Sequence, residues 1–187
     1  SGVAELLPTV DVAVFDEAHQ LVEAGVQFLG TNLGTAQLID FCRDLLAIGL
    51  QQARGLRDWH ALAGALEQSA RQLRLQCAGP LRELRGVINL RWEDRALSSD
   101  WAITLQAVAD AAQAVAASMA ELQAIGADFD KLEQRALAIA QLAALFVQPT
   151  GADQVRWIDV SPQQARLVES PLDICEMLTE QRRASPK

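Results

Sequence analysis

Between Trp101 and Leu122, the residues Trp101, Leu105, Val108, Ala112, Val115, Met119 and Leu122 follow one another at alternating intervals of four and three, without a slip. That spacing puts all seven on one stripe of an α-helix, and such a stripe must be buried against another element. Ser98 or Ser99 is placed to cap the helix, and Gly126 closes it. Asp128 is placed to cap a second seam of Phe129, Leu132, Ala136, Ile139, Ala143 and Phe146, which runs to Pro149.

Two more helices precede these. From Thr35 to Arg54 the apolar positions Leu38, Phe41, Leu45 and Ile48 recur at three and four. After a break at Gly55 the pattern resumes with Trp59, Leu62, Leu66, Ala70, Leu73 and Cys77, and Gly79-Pro80 ends it. Four amphipathic helices on short connections predict a mainly α fold built on an antiparallel four-helix bundle. The seams have no inward Glu-x-x-His, and His60 has no carboxylate at helical spacing on its face, so they read as core rather than as a metal site.

The flanks have a different character. Residues 20–34 are punctuated by Gly25, Gly30 and Gly34 and predict a short helix and then a loop or short strand. Gln154 to Val160 alternates and predicts a strand, Ser161-Pro162-Gln163-Gln164 a turn, and Ala165 to Glu169 a second strand. Asp173 is placed to cap a last short helix before a basic, polar tail. Residues 81–98 show no sustained period and mix apolar residues with arginine. Arg82, Arg85, Arg91, Trp92 and Arg95 are the candidate DNA contacts there, arginines to follow phosphates and a tryptophan to stack on a base. The competing reading is a salt-bridged excursion with Trp92 packed inward.

Half of the residues are hydrophobic, tyrosine is absent, and the net charge of −8 argues against a wholesale nucleic-acid coat. That charge is uneven, since eight arginines face only five acids between Gln51 and Arg95. No stretch approaches the roughly 18 apolar residues of a membrane span, and no membrane partner is expected. The three cysteines, Cys42, Cys77 and Cys175, are too widely spaced for a zinc site and fit buried thiols in a reducing compartment, which predicts a cytoplasmic protein.

The stretch most explicit about chemistry is Val12-Ala13-Val14-Phe15-Asp16-Glu17-Ala18-His19, an apolar, β-branched run that ends in two carboxylates and a histidine. It reads as a strand covered on both faces, as in a parallel sheet. Open α/β sheets bind ligands at the carboxyl ends of their strands, where Asp16 and Glu17 would reach a phosphate-bound Mg²⁺ and a water beside it. On the two acids alone, charging the first turn of a following helix is the simpler role. The full tetrad after a strand favours the chemical one.

Asp16-Glu17-Ala18-His19 after a strand resembles the Walker B motif of superfamily 2 helicases. Leu6-Leu7-Pro8, taken with Val12 through Leu21, is similar to the XPD/DinG-type branch. In that family a helical Arch domain is inserted after the DEAH strand, and the chain then returns to the first motor domain. Val155-Arg156-Trp157-Ile158-Asp159 and Glu169-Ser170-Pro171-Leu172-Asp173-Ile174 resemble the returning segments. The resemblance implies residues 1–33 as the Walker B strand and lead-in of motor domain 1, residues 34–150 as an Arch-like insertion, and residues 151–187 as the return. The bundle is then inserted into a remnant of an α/β motor domain with a few short strands.

It further implies an ATP-dependent 5′-to-3′ DNA helicase of repair or replication. Such an enzyme uses ATP and Mg²⁺, and its 4Fe–4S cluster is held by cysteines that would precede Asp16. Implied partners are single-stranded or forked DNA, the rest of the motor domains and a replication or repair protein. Asp16 would hold Mg²⁺, Glu17 would orient and deprotonate the attacking water, and His19 would link the ATP site to the neighbouring motor domain. The sequence has no Gly-x-x-Gly-Lys-Thr loop, Ser-Ala-Thr motif or arginine-finger motif, so no ATPase is expected of it in isolation. The alternative is a freestanding helical interaction module without enzymatic activity.

Overall fold

The structure, a computed structural model, describes residues 30–81 and 85–172. The strand expected at Val12–Phe15 and the helix expected after Asp173 lie outside the described residues. The described chain runs β1 (Thr31–Gly34), α1 (Thr35–Gln52), α2 (Trp59–Ala78), β2 (Ile88–Arg91), the single turn α3 (Glu93–Ala96), α4 (Ser99–Ala120), α5 (Ala127–Val147), β3 (Gln154–Val160) and β4 (Ala165–Pro171). It is mainly helical, with one small sheet.

The four long helices are those the apolar spacing predicts, and their seams form the core. Every member of the Trp101–Leu122 seam is buried, and Phe129, Leu132, Ala136, Ala143 and Phe146 face it from α5. Ile139 is only partly buried, and Ala140 takes the core position beside it. Burying each large apolar side chain contributes about 1.5–3 kcal/mol relative to exposure, which is what holds α4 and α5 along each other.

Helix ends follow local chemistry with two departures, the first being that α4 ends at Ala120 and a 3₁₀ turn over Gln123–Ile125 separates it from Gly126, the glycine expected to close it. Ser98 caps α4, its Oγ accepting from the Asp100 N–H at 3.4 Å, and Asp58 caps α2 by accepting from the Ala61 N–H at 2.9 Å. Gly79 ends α2 with φ of 54°. The expected cap Asp128 lies instead inside the first turn of α5, after Gly126. There its carboxylate pairs with Lys131 within the helix and accepts from Gln52 Nε2 at 2.8 Å, a bond that joins the end of α1 to the start of α5.

A close crossing fixes α1 against α2. A Cβ on Gly49 would collide with the Trp59 ring, so the glycine is what admits the indole. Trp59 in turn donates from Nε1 to the Ala53 carbonyl at 3.0 Å and sits 6.2 Å from the Phe129 ring, which carries the contact across to α5.

The four strands form one antiparallel sheet in the order β1-β4-β3-β2. Thr31 pairs with Glu169, Trp157 with Val168, and Arg91 with Trp157. Leu33, Ile158, Val160, Ala165 and Leu167 join the bundle core, while on the opposite face Asn89 and Arg166 each donate to the Asp159 carboxylate. The Ala165 N–H donates to Thr35 Oγ1 at 3.0 Å, tying β4 to the first turn of α1. Residues 81–98, which carry no clear period, thus supply an edge strand and a turn of helix among their described residues.

Candidate nucleic-acid interface

The residues singled out by sequence fall into three groups. Asp16, Glu17, His19 and Arg82 lie outside the described residues. Arg85 and Arg91 are exposed, Arg85 ahead of β2 and Arg91 at its last position on the edge of the sheet. Arg91 is opposite the half-buried Trp157, on the face turned away from the bundle.

Trp92 and Arg95 take other roles. Trp92 starts α3 with its side chain turned inward, only 7% exposed. Its ring meets Trp101 edge-on at 5.2 Å and Phe146 at 5.7 Å, and the Arg156 guanidinium lies 5.3 Å from its centre. These neighbours occupy the surface a base would need, so Trp92 is a core residue rather than a stacking platform. Arg95 donates from Nε to the Cys77 carbonyl at 2.9 Å and from Nη2 to the Ala78 carbonyl at 3.2 Å. Those carbonyls end α2, the Ala78 one also accepting from the Leu81 N–H at 3.2 Å, and a cation there also suits the helix dipole.

The most constrained charge in the described chain is Arg156, whose side chain is 2% exposed. Its Nε donates to Glu169 Oε2 at 2.6 Å, its Nη1 to the Gln148 carbonyl at 2.6 Å and its Nη2 to the Leu145 carbonyl at 3.1 Å. Its guanidinium also lies 5.3 Å from the Phe146 ring centre. One guanidinium therefore joins β3, β4, the end of α5 and the aromatic cluster around Trp92. The sequence placed Arg156 in the alternating run from Gln154 to Val160 without singling it out. Its parity with the apolar Ile158 and Val160 was the signal that it faces the core.

Burial sets the thiol chemistry. The Cys42 thiol is pushed up to about 11 by burial, with Glu67 adding to the shift. Burial pushes Cys77 up to about 12, against the opposing pull of Arg95 and Arg74. Neither is a ready thiolate at neutral pH. Among the described residues, no three His, Cys, Asp or Glu side chains group into a metal-sized site. No helix among them is long and apolar enough to cross a membrane.

No family model matches the chain. It is 38% identical over 89 residues to the ATP-dependent DNA helicase YoaA of Escherichia coli (strain K12), a match covering 45% of this chain and 14% of that protein. It is 21% identical over 176 residues to the ATP-dependent DNA helicase YoaA of Haemophilus influenzae (strain ATCC 51907 / DSM 11121 / KW20 / Rd), covering 94% of this chain and 27% of that protein. The chain is therefore similar to one part of these DNA helicases, and its match spans about a quarter of their length or less.

Proposed function

We propose that this chain is the part of an XPD/DinG-type, ATP-dependent 5′-to-3′ DNA helicase that carries the Walker B strand and an Arch-like helical insertion. The observation that carries the reading is the similarity of almost the whole chain to one part of a named DNA helicase. The sheet topology supports it. Thr31, at the start of β1, pairs with Glu169, near the end of β4, so the folded unit's two ends are antiparallel neighbours. Paired backbones of this kind lie about 5 Å apart, and a unit whose ends meet can be set into a loop of another domain without distorting it. On this reading residues 34–150 are the insertion and residues 151–187 the return, with β2 of the insertion pairing with β3 of the return.

Asp16 then holds Mg²⁺, Glu17 positions and deprotonates the water, and His19 links this site to the neighbouring motor domain. ATP with Mg²⁺ supplies the phosphoryl chemistry, and the phosphate loop and the cysteines of a 4Fe–4S cluster belong to other parts of the longer protein. Single-stranded or forked DNA is the substrate, in repair or replication, with Arg85 and Arg91 the exposed candidates for phosphate contacts.

The test is Glu17→Gln and Asp16→Asn in the full-length protein. Glu17→Gln is expected to keep nucleotide binding and to lower turnover by about 10²–10⁴, the usual loss of a general base. Asp16→Asn is expected to weaken Mg²⁺-dependent nucleotide binding as well. The 187-residue chain alone is expected to show no ATPase. Normal turnover by full-length Glu17→Gln would refute the motif, and ATPase in the isolated chain would refute the fragment reading.

A further inference from the structure

A groove where α1, α2 and the β3–β4 turn meet plays no part in the reading above. It holds about 500 Å³, within the range of about 300–1,000 Å³ of sites that take ligand groups. Ile39, Leu46 and Leu75 give it an apolar floor, and Leu75 is 55% exposed although it lies on the same helix as the buried Leu66 and Leu73. Arg43, Arg71 and Arg74 line it against a single acid, Glu67, in a chain whose overall charge is −8.

The three arginines are held differently. Arg74 is fixed, its Nη2 donating to the Ser161 carbonyl at 3.2 Å and to the Pro162 carbonyl, while its buried Nε meets no acceptor. Arg43 pairs with Asp40 and Arg71 with Glu67 within one helical turn, both in exposed positions. Exposed pairs of this kind contribute little, so a partner's carboxylates can take over either guanidinium at little cost.

We propose that this groove docks an acidic amphipathic helix of a partner protein. Its apolar side chains at three- and four-residue spacing would cover Ile39, Leu46 and Leu75, and its flanking acids would take Arg43 and Arg71 in forked, charge-assisted hydrogen bonds beside the fixed charge of Arg74. Nucleic acid fits the groove less well. No aromatic side chain lines it to stack on a base. The inference does not depend on the helicase reading.

The test uses the 187-residue chain and a fluorescein-labelled synthetic helix of roughly 14 residues, about four turns, with leucine on one face and glutamate on both flanks. Controls carry lysine for glutamate or serine for leucine. The acidic peptide is expected to bind at least about tenfold more tightly than either control. The double variant Arg43→Glu/Arg71→Glu is expected to reverse the preference between acidic and basic peptides, and Leu75→Ser to weaken binding by about tenfold, both with unchanged melting temperature. No binding of the acidic peptide, equal binding to the charge-reversed chain, or displacement by oligothymidylate would each overturn the proposal.

Discussion

Replacing Arg156 by methionine probes the joint that holds sheet, bundle and aromatic cluster together. The substitution removes the partner of Glu169, whose side chain is only 13% exposed, and strips donors from the Gln148 and Leu145 carbonyls. Removing one member of a buried ion pair costs about 3–5 kcal/mol, mostly because the other charge stays buried alone. Domains of this kind have only about 5–15 kcal/mol in hand, so the variant is expected to fold but to lie close to the edge. With a urea m-value of about 2 kcal/mol/M, the unfolding midpoint should fall by about 2 M.

Three companion variants separate the causes. Arg156→Lys keeps the charge but loses the forked geometry, and should fall between wild type and methionine. Glu169→Gln leaves an amide that still accepts from Arg156 and should cost about 1–3 kcal/mol. The double variant Arg156→Met/Glu169→Leu removes both charges and should recover most of the loss, since apolar replacement of a whole buried pair is often neutral. Urea unfolding followed by tryptophan fluorescence reads all four. A shift below about 0.5 M for Arg156→Met, or a double variant no more stable than Arg156→Met alone, would refute the joint.

Gly49→Ala places a methyl against the Trp59 ring, and overpacking of this kind should cost about 1–3 kcal/mol, read as a lower melting temperature. Cys42 and Cys77, with thiols raised to about 11 and about 12 from 9.0, should resist Ellman's reagent at pH 8 in the folded chain and react once it is unfolded. Because their folded values are raised, their contribution to stability is complete below pH 9 and is lost as pH rises towards 11 to 12, so unfolding midpoints should fall across that window. Arg91→Glu and Arg95→Glu should part company in the full-length protein. The first is expected to weaken single-strand binding and flatten its salt dependence at constant melting temperature, and the second to lower the melting temperature by releasing the end of α2.

What was legible in the sequence divides by the range of the interaction that encodes it. The four helices were readable because an apolar stripe at three- and four-residue spacing is a local statement that needs no knowledge of its partner, as Trp101 to Leu122 demonstrates. The strands at Gln154–Val160 and Ala165–Pro171 were likewise visible, with a four-residue turn between them. Their pairing with β1 and β2 was not, because Thr31 and Glu169 meet across almost the whole described chain and nothing near either residue names the other. The same limit explains the arginines. Composition gathered Arg91 and Arg95 into one basic stretch, yet Arg95 is defined by carbonyls at Cys77 and Ala78, and Arg91 by its outward place on an edge strand. Asp16, Glu17 and His19 lie outside the described residues, so the roles proposed for them rest on residue type, order and spacing and on relatives. A guanidinium's role is decided by which acceptors the fold brings to it, so local charge identified a basic stretch here but not which of its members hold the protein together.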